Sequence, residues 1–190
     1  MRETSKPDSV PNYSEKDFQT IYSSFSKKVY STALGYTQNI LDAEEITQDV
    51  FVEVHQKIGN FKGESSLSTW IYRITTNKCL DFIKHRNRKK RFAIITSLFN
   101  NDGELTVDPP DFVHPGITLE NVESAQILFK AINKLTENQK TAFILSKIEG
   151  LSYSEIAETM KLRIPAVESL LFRSKANLKK QFQPLKMPST

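Results

Sequence analysis

Hydrophobic residues recur every three or four positions along most of the chain, the period of amphipathic α-helices and not of β-strands. The N-terminal half predicts three helices, of which the second ends at Gly59-Asn60 and the third begins at about Thr69. Their apolar positions are Phe18, Ile21, Phe25, Val29 and Ala33, then Ala43, Ile46, Val50, Val54 and Ile58, then Trp70, Ile71, Ile74, Phe82 and Ile83.

The periodicity stops over residues 92–117, FAIITSLFNNDGELTVDPPDFVHPGI, which hold three prolines, two glycines and four acidic residues. So long an aperiodic stretch is unusual inside a compact domain, and we interpret it as a flexible interdomain linker. Periodicity then returns at Val122, Ala125, Leu128, Phe129, Ile132 and Leu135. The pattern predicts an all-α protein with two small helical domains.

The C-terminal half ends in a pattern typical of a helix-turn-helix. Residues 136–139, TENQ, and 152–155, SYSE, both have the spacing of a capping box and predict helix starts. A turn at 161–164 then leads into RIPAVESLLFRSK, residues 163–175. The predicted inner face of this last helix is Val167, Leu171, Ser174 and Leu178, and the predicted outer face is Pro165, Ser169, Phe172, Arg173 and Ala176.

That outer face suits a DNA groove, because a phenylalanine can contact a thymine methyl group and an arginine can reach guanine or phosphate. Lys175, Lys179 and Lys180 extend its basic character. Glu168 suits the first turn through the helix dipole and can accept a hydrogen bond from a cytosine amine. A helical hairpin packed inside a bundle is the alternative interpretation.

Charge is segregated along the chain although the net charge is only +4. Residues 84–91 read KHRNRKKR, whereas residues 42–53, DAEEITQDVFVE, contain no basic residue. Asp42, Glu45, Asp49 and Glu53 form an acidic stripe, which is an ordinary solvated face in most helices. The following helix mixes hydrogen-bonding, cationic and aromatic side chains, a combination that single-stranded DNA binding requires: Thr69, Trp70, Arg73, Asn77, Lys84 and Arg86.

Composition excludes several other classes of function. The mean hydropathy is −0.42 and no apolar run approaches the roughly 20 residues of a membrane helix, so we expect no stable membrane insertion. The N-terminus lacks the apolar core of a signal peptide, and the single cysteine, Cys79, fits a reducing compartment, so we expect a cytoplasmic protein. No catalytic triad, glycine-rich phosphate loop or metal-ligand spacing is present, which predicts no catalytic residue, no metal and no cofactor.

Three segments together resemble the extracytoplasmic-function (ECF, group IV) sigma factors of bacterial RNA polymerase, within the sigma-70 family. DAEEITQDVFVEV is similar to the family's core-binding helix. FKGESSLSTWIYRITTNKCLDFIKHRNR is similar to its promoter-melting and −10 recognition segment, and LTENQKTAFILSKIEGLSYSEIAETMKLRIPAVESLLFRSKANLKK to its −35 reading domain. The resemblance implies a non-enzymatic factor that directs core polymerase to promoters and opens the −10 DNA.

The resemblance also implies roles for individual residues. Those expected to dock on the coiled coil of the polymerase β′ subunit are Asp42, Glu45, Gln48, Asp49 and Phe51. Those expected at the −10 DNA are Thr69, Trp70, Arg73, Asn77, Lys78, Lys84, Arg86 and Arg88, with Asn77 capturing a flipped-out base. Those expected to read the −35 element are Glu168, Ser169, Phe172, Arg173 and Lys175.

The domains that follow are a disordered N-terminus (1–12), sigma region 2 (13–91), the linker (92–117), sigma region 4 (118–182) and a tail (183–190). The implied partners are core RNA polymerase, through its β′ coiled coil and β flap, promoter DNA as duplex at −35 and single strand at −10, and an anti-sigma factor. The resemblance implies a monomer.

The chain departs from the family pattern before and inside its last helix. Lys161-Leu162-Arg163 stands where Gly-Leu-Ser is common, Pro165 follows, and Glu168 and Leu170 stand where basic residues are common. These departures predict an unusual −35 preference. Two rival hypotheses are an autonomous helix-turn-helix regulator, which would bind duplex DNA without polymerase, and a metal-dependent nuclease or recombinase, which would need a carboxylate pair that the sequence does not offer.

Overall fold

The computed structural model describes residues 15–99 and 127–182, and every regular element in these two ranges is helical. The elements of the N-terminal unit are α1 (Glu15–Thr37), α2 (Ile40–Lys57), a short 3₁₀ turn (Ile58–Asn60) and α3 (Leu67–Phe99). The C-terminal unit comprises helical residues 127–133, α4 (Glu137–Lys147), α5 (Tyr153–Met160) and α6 (Ile164–Phe182). The predicted all-α class is confirmed.

The N-terminal unit is a bundle in which α1, α2 and α3 all pack against one another. The predicted apolar stripe of α2 forms its centre, since Ala43, Val50 and Val54 are fully buried there. Asn39 caps α2 by accepting a hydrogen bond from the amide of Asp42 at 2.9 Å, which satisfies one of the free donors at the helix start. This bundle fixes which faces of α2 and α3 remain exposed.

The C-terminal unit contains the predicted helix-turn-helix. The capping box at Ser152 is present: the Glu155 backbone N–H donates to the Ser152 hydroxyl, and the Glu155 carboxylate accepts from the Ser152 backbone N–H. In α6, Val167, Leu171, Ser174 and Leu178 are all buried, so the predicted inner face is confirmed. The outer face of α6 is therefore held away from the core of its own domain.

Two local features differ from the predictions. Helix α4 begins at Glu137, as the TENQ spacing predicted, but Thr136 makes no side-chain capping bond, and the Gln139 side chain accepts from the Asn177 amide at 3.0 Å. Helix α3 continues through Phe99, past the predicted linker start at residue 92. No glycine or proline interrupts residues 84–99, and the first glycine beyond them is Gly103, so nothing in the backbone ends the helix earlier. Residues 100–117 of the predicted linker, the N-terminal segment 1–12 and the tail 183–190 lie outside the described residues.

The two units pack directly against each other through α1 and α4. Gly35 of α1 faces Ile144 of α4 and Ile148, the residue that follows α4, and Ile144 belongs to the N-terminal core. The Tyr36 hydroxyl donates to Thr141 Oγ1 at 2.7 Å, and Lys140 Nζ donates to the Tyr36 carbonyl at 2.8 Å. Burial lowers the pKa of Lys140 to about 8. The interface thus combines a close apolar contact with buried polar bonds.

Lys161 ends α5 in the left-handed conformation, with φ of 55°. This conformation costs a residue with a Cβ roughly 1–2 kcal/mol, whereas glycine adopts it freely, although glycine loses more entropy on folding. Because the Lys161 side chain is exposed, we expect Lys161→Gly to raise the free energy of unfolding by about 0.5–1 kcal/mol. Chemical denaturation of the two chains checks this, and a destabilised variant would contradict it.

Candidate nucleic-acid interface

One exposed face of α2 combines polar and apolar side chains at helical spacing. Leu41, Glu45, Gln48 and Val52 lie four, three and four residues apart and therefore share a face. Leu41 is 73% exposed and Val52 is 56% exposed, which is unusual for large apolar side chains. We call these four residues the α2 outer face. The sequence prediction included Glu45 and Gln48 but missed Leu41 and Val52. These two could have been recognised in the sequence as apolar residues that do not belong to the buried stripe of the helix.

Beside the α2 outer face lies a shallow groove floored by aromatic rings. Phe51 packs edge-on against Tyr22 at 4.7 Å and against Phe18 at 6.5 Å, and the Phe18 ring lies 4.9 Å from His55. Gln48 and Val52 border the same groove. Phe51 itself is 4% exposed and belongs to the core. Its ring therefore forms part of the groove floor and presents little surface of its own, and the docking role expected for Phe51 stays a prediction.

The predicted acidic stripe divides between two faces. Asp42 pairs with Arg86 at 2.7 Å, and Glu53 with Lys78 at 3.2 Å, so both carboxylates face α3. Asp49 also lies on this side, 4.0 Å from Lys78. Hydrogen bonds from Lys57 and then Lys78 lower the pKa of Glu53.

These pairings change the prediction for two cations. Lys78 and Arg86, expected at the −10 DNA, form ion pairs with carboxylates of α2 and link α3 to α2. Glu45 keeps an exposed position on the α2 outer face.

The exposed face of α3 brings together three of the predicted −10 residues. Asn77, Lys84 and Arg88 are all exposed, and their spacing of seven and four residues places them on one side of the helix. Lys84 and Arg88 border a shallow depression together with Asp81 and Asn87. We call Asn77, Lys84 and Arg88 the α3 outer face. It offers one amide and two cations to a ligand.

The remaining predicted −10 residues are placed differently. Trp70 is partly buried, with its ring 5.2 Å from that of Phe61, so it packs on the core and is not an open stacking platform. Thr69 is 2% exposed and contacts Glu158 of the C-terminal unit at 3.4 Å. Arg73 donates to the Glu158 carbonyl at 2.8 Å. Both side chains therefore face α5 in this arrangement.

The outer face of α6 carries all five residues predicted for −35 reading. Phe172 is 75% exposed, and Glu168, Arg173 and Lys175 are exposed around it. The Arg173 guanidinium donates to the Ser169 hydroxyl at 2.8 Å and to the Ser169 carbonyl at 3.2 Å, which holds it along the helix. An exposed ring beside an oriented guanidinium is a surface suited to base edges in a major groove.

Neither a metal site nor a membrane segment emerges from residues 15–99 and 127–182. Across these ranges, no three His, Cys, Asp or Glu side chains are grouped so that they could bind a metal ion. None of the helices searched within them is both long and apolar enough to span a bilayer.

Comparison with known proteins identifies both units. The N-terminal unit matches the sigma-70 region 2 family over residues 21–89, and the C-terminal unit matches the sigma-70 region 4 family over residues 125–178. Among solved structures, the sigma factor RpoE in complex with the anti-sigma factor NepR from Bartonella quintana is similar, with a TM-score of 0.64 and 22% identity over 88% of this chain and 98% of that one. CnrH in complex with the cytosolic domain of CnrY also gives a TM-score of 0.64, at 18% identity over 90% of each chain.

Curated relatives extend the likeness to nearly the whole chain. The ECF RNA polymerase sigma-E factor of Haemophilus influenzae is 29% identical, and the match covers 90% of both chains. The RNA polymerase sigma-H factor of Pseudomonas aeruginosa is 25% identical over 90% of this chain and 89% of its own. Together with the ordered region 2 and region 4 matches, these relatives show that the chain belongs to the ECF sigma factors of the sigma-70 family, which are transcription initiation factors and not enzymes.

Proposed function

We propose that this sigma factor docks on core RNA polymerase through the α2 outer face and opens the −10 DNA through α3. The observation that carries the proposal is the separation of the two surfaces on one bundle. The α2 outer face offers the exposed side chains of Leu41 and Val52, of which Val52 borders the aromatic groove, whereas the α3 outer face offers Asn77 with two cations. An apolar patch fits a protein partner, and an amide flanked by cations fits an extruded base and its backbone.

Opening the −10 DNA requires the protein to offset the cost of taking a base out of the stack. That cost is a few kcal/mol, and hydrogen bonds to the base edge are the usual compensation. An exposed asparagine such as Asn77 provides one acceptor and two donors for such an edge. Lys84 and Arg88 on the same face would hold the adjacent phosphates.

The test of the proposed function is run-off transcription with purified core polymerase on genomic promoter fragments. We expect the added chain to produce new start sites, and we expect the chain alone to bind duplex DNA weakly. Tight duplex binding without polymerase, together with no new start sites, would support the autonomous regulator instead.

We propose further that α6 anchors the upstream −35 element, with Phe172 and Arg173 at base edges. Glu168 sits on the same face, where a carboxylate repels nearby phosphates but can accept from a cytosine amine. The family-atypical Glu168 is therefore a determinant of −35 sequence preference under this proposal.

We expect Glu168→Lys to strengthen holoenzyme binding to duplex fragments and to relax sequence preference at one base pair. One added phosphate contact would make the slope of log affinity against log salt steeper by about 0.9. Fluorescence anisotropy at several salt concentrations, on the fragments found by run-off transcription, measures both effects. Glu168→Gln is the matched control, because it removes the carboxylate without adding a cation. An unchanged slope in Glu168→Lys would place residue 168 away from the DNA.

We also propose regulation by an anti-sigma factor. Two of the similar solved structures hold a second chain: the sigma factor RpoE is in complex with the anti-sigma factor NepR, and CnrH is in complex with the cytosolic domain of CnrY. In this chain the aromatic groove beside the α2 outer face is a suitable docking place for such a partner, because it is apolar and exposed. A partner bound there would compete with core polymerase.

A further inference from the structure

An acidic side chain lies in the middle of the α3 outer face. Asp81 is four residues after Asn77 and three before Lys84, and these spacings place it on the same side of α3 as the rest of that face. Asp81 is exposed, and it borders the shallow depression together with Lys84, Asn87 and Arg88. A group that can only accept hydrogen bonds thus stands between an amide and two cations.

The fold gives this carboxylate no structural role. Asp81 lies in the interior of α3, where aspartate is a poor helix former, and it is well beyond the first turn at Leu67, where the helix dipole would stabilise it. Among the described residues the Asp81 carboxylate forms no ion pair or hydrogen bond, although Lys84 lies one turn further along the helix. Asp42 and Glu53 of α2, in contrast, pair with cations of α3. The Asp81 carboxylate is therefore available to an external donor.

The chemistry of DNA limits what that donor can be. Phosphates repel a carboxylate, so the DNA backbone is not the target of Asp81. In the major groove cytosine presents the donor of its N4 amine, whereas adenine presents its N6 amine beside the N7 acceptor. A group that only accepts matches cytosine fully, and it leaves the N7 acceptor of adenine without a donor. The base that best fits Asp81 is cytosine.

Helix geometry limits where that cytosine lies. A rise of about 1.5 Å per residue places Asp81 roughly 6 Å along α3 from Asn77. This distance corresponds to about two base-pair steps of roughly 3.4 Å each. With Asn77 at the extruded base, Asp81 faces a base pair that borders the opened segment.

We propose that Asp81 is a specificity residue, which accepts a hydrogen bond from the N4 amine of cytosine in a C·G pair at the edge of the opened −10 DNA. Lys84 and Arg88 hold the adjacent phosphates and offset the repulsion between Asp81 and the backbone. The assignment rests on the proposed −10 role of α3 and adds to it the identity of one base pair.

The test uses holoenzyme, formed from core polymerase and the full-length chain, on a promoter found by run-off transcription. Each base pair of the −10 element and of the four positions on either side is changed in turn to the three alternatives. Heparin-resistant complexes are then quantified for every fragment. We expect the wild type to prefer C·G at one position by about tenfold, which is the discrimination typical of one good base contact.

Two substitutions of Asp81 give different expected profiles. Asp81→Ala should remove the preference at that position alone, because alanine offers no acceptor. Asp81→Asn should change the preferred pair there from C·G to A·T, because an amide matches both the N6 donor and the N7 acceptor of adenine. Glu44→Gln is the matched control, since it neutralises an exposed carboxylate of α2 and should keep the wild-type profile. Circular dichroism verifies that each variant keeps its helical content.

The outcomes separate this assignment from the proposed function. An Asp81→Ala profile equal to that of the wild type at every position would overturn the specificity role. A uniform change at all positions would overturn it too, because a structural or general electrostatic role changes no single preference. A wild-type chain that gives no start sites with core polymerase would overturn the proposed function, and the assignment of Asp81 would fall with it.

Discussion

Replacement of Asn77 by alanine is expected to leave binding to core polymerase unchanged and to lower the rate of open-complex formation by about 10- to 100-fold. Asn77 is exposed on the α3 outer face, so its side chain contributes little to the core of the bundle. Two hydrogen bonds to an extruded base are worth roughly 1–3 kcal/mol of discrimination, and each 1.4 kcal/mol is a factor of ten. The loss therefore falls on the step in which the base leaves the duplex.

Potassium permanganate reactivity of unpaired thymines, followed over time, measures opening, and a native gel with core polymerase measures binding. Asn138→Ala is the matched control, because Asn138 is an exposed asparagine of α4, remote from α3 in sequence. Promoter DNA that carries a pre-melted −10 bubble should restore the variant partly, since the unpairing cost is then removed. Equal loss of opening and core binding would argue against the base pocket.

Local sequence was sufficient to predict the helices and most of their buried faces. The spacing of Ala43, Val50 and Val54 predicted the inner stripe of α2, and Ser152 with Glu155 predicted the start of α5. These features depend on side chains within one or two turns, so the period and the capping chemistry identify them. The resemblance then supplied the family, which the region 2 and region 4 matches confirm.

Contacts between distant segments were the part that local patterns missed. Gln139 has the spacing of a capping partner for Thr136, but its side-chain oxygen accepts a hydrogen bond from Asn177, which lies far along the chain. Phe51 matched the core-binding motif by position, but the rings of Phe18 and Tyr22 hold it inside the bundle. In each case the decisive partner lies on another helix, where neither period nor motif spacing could reveal it.

The charge pattern shows the same limit. The sequence offered an acidic stripe on α2 and a basic cluster on α3, and each was assigned to a different external surface. In the structure Asp42 and Arg86 pair with each other, and Glu53 pairs with Lys78. Opposite charges on neighbouring helices thus serve partly to fix the bundle, and the side chains that remain for partners are fewer than the stripe predicted.

The exposed apolar residues of α2 are therefore better candidates for contact with a protein partner than its charged residues. Large exposed apolar side chains such as Leu41 and Val52 gain free energy when a protein partner removes them from water. Apolar side chains that become buried in this way dominate the binding energy of protein interfaces. Under the proposed docking on core polymerase, we expect the charged neighbour Glu45 to contribute to orientation and association rate more than to affinity. This division of roles leads to a specific expectation for Val52.

Val52→Glu is expected to weaken binding to core polymerase by about 100-fold while the free energy of unfolding changes by less than about 0.5 kcal/mol. Val52 is 56% exposed in the free chain, so a surface substitution there leaves the bundle intact. In the complex the new carboxylate would be buried beside the aromatic groove without a partner, which costs several kcal/mol. Binding is measured by fluorescence titration of labelled core polymerase, and stability by chemical denaturation.

Ser24→Glu provides the matched control for Val52→Glu. It adds the same charge to the same bundle at an exposed position of α1, where the Ser24 hydroxyl donates to the Thr20 carbonyl of its own helix. We expect that control to bind core polymerase as the wild type does. A Val52→Glu chain that folds normally and binds core polymerase with unchanged affinity would move the docking surface away from the α2 outer face. Weakening restricted to Val52→Glu places the aromatic groove at the centre of the polymerase contact, because no change in net charge alone could then explain it.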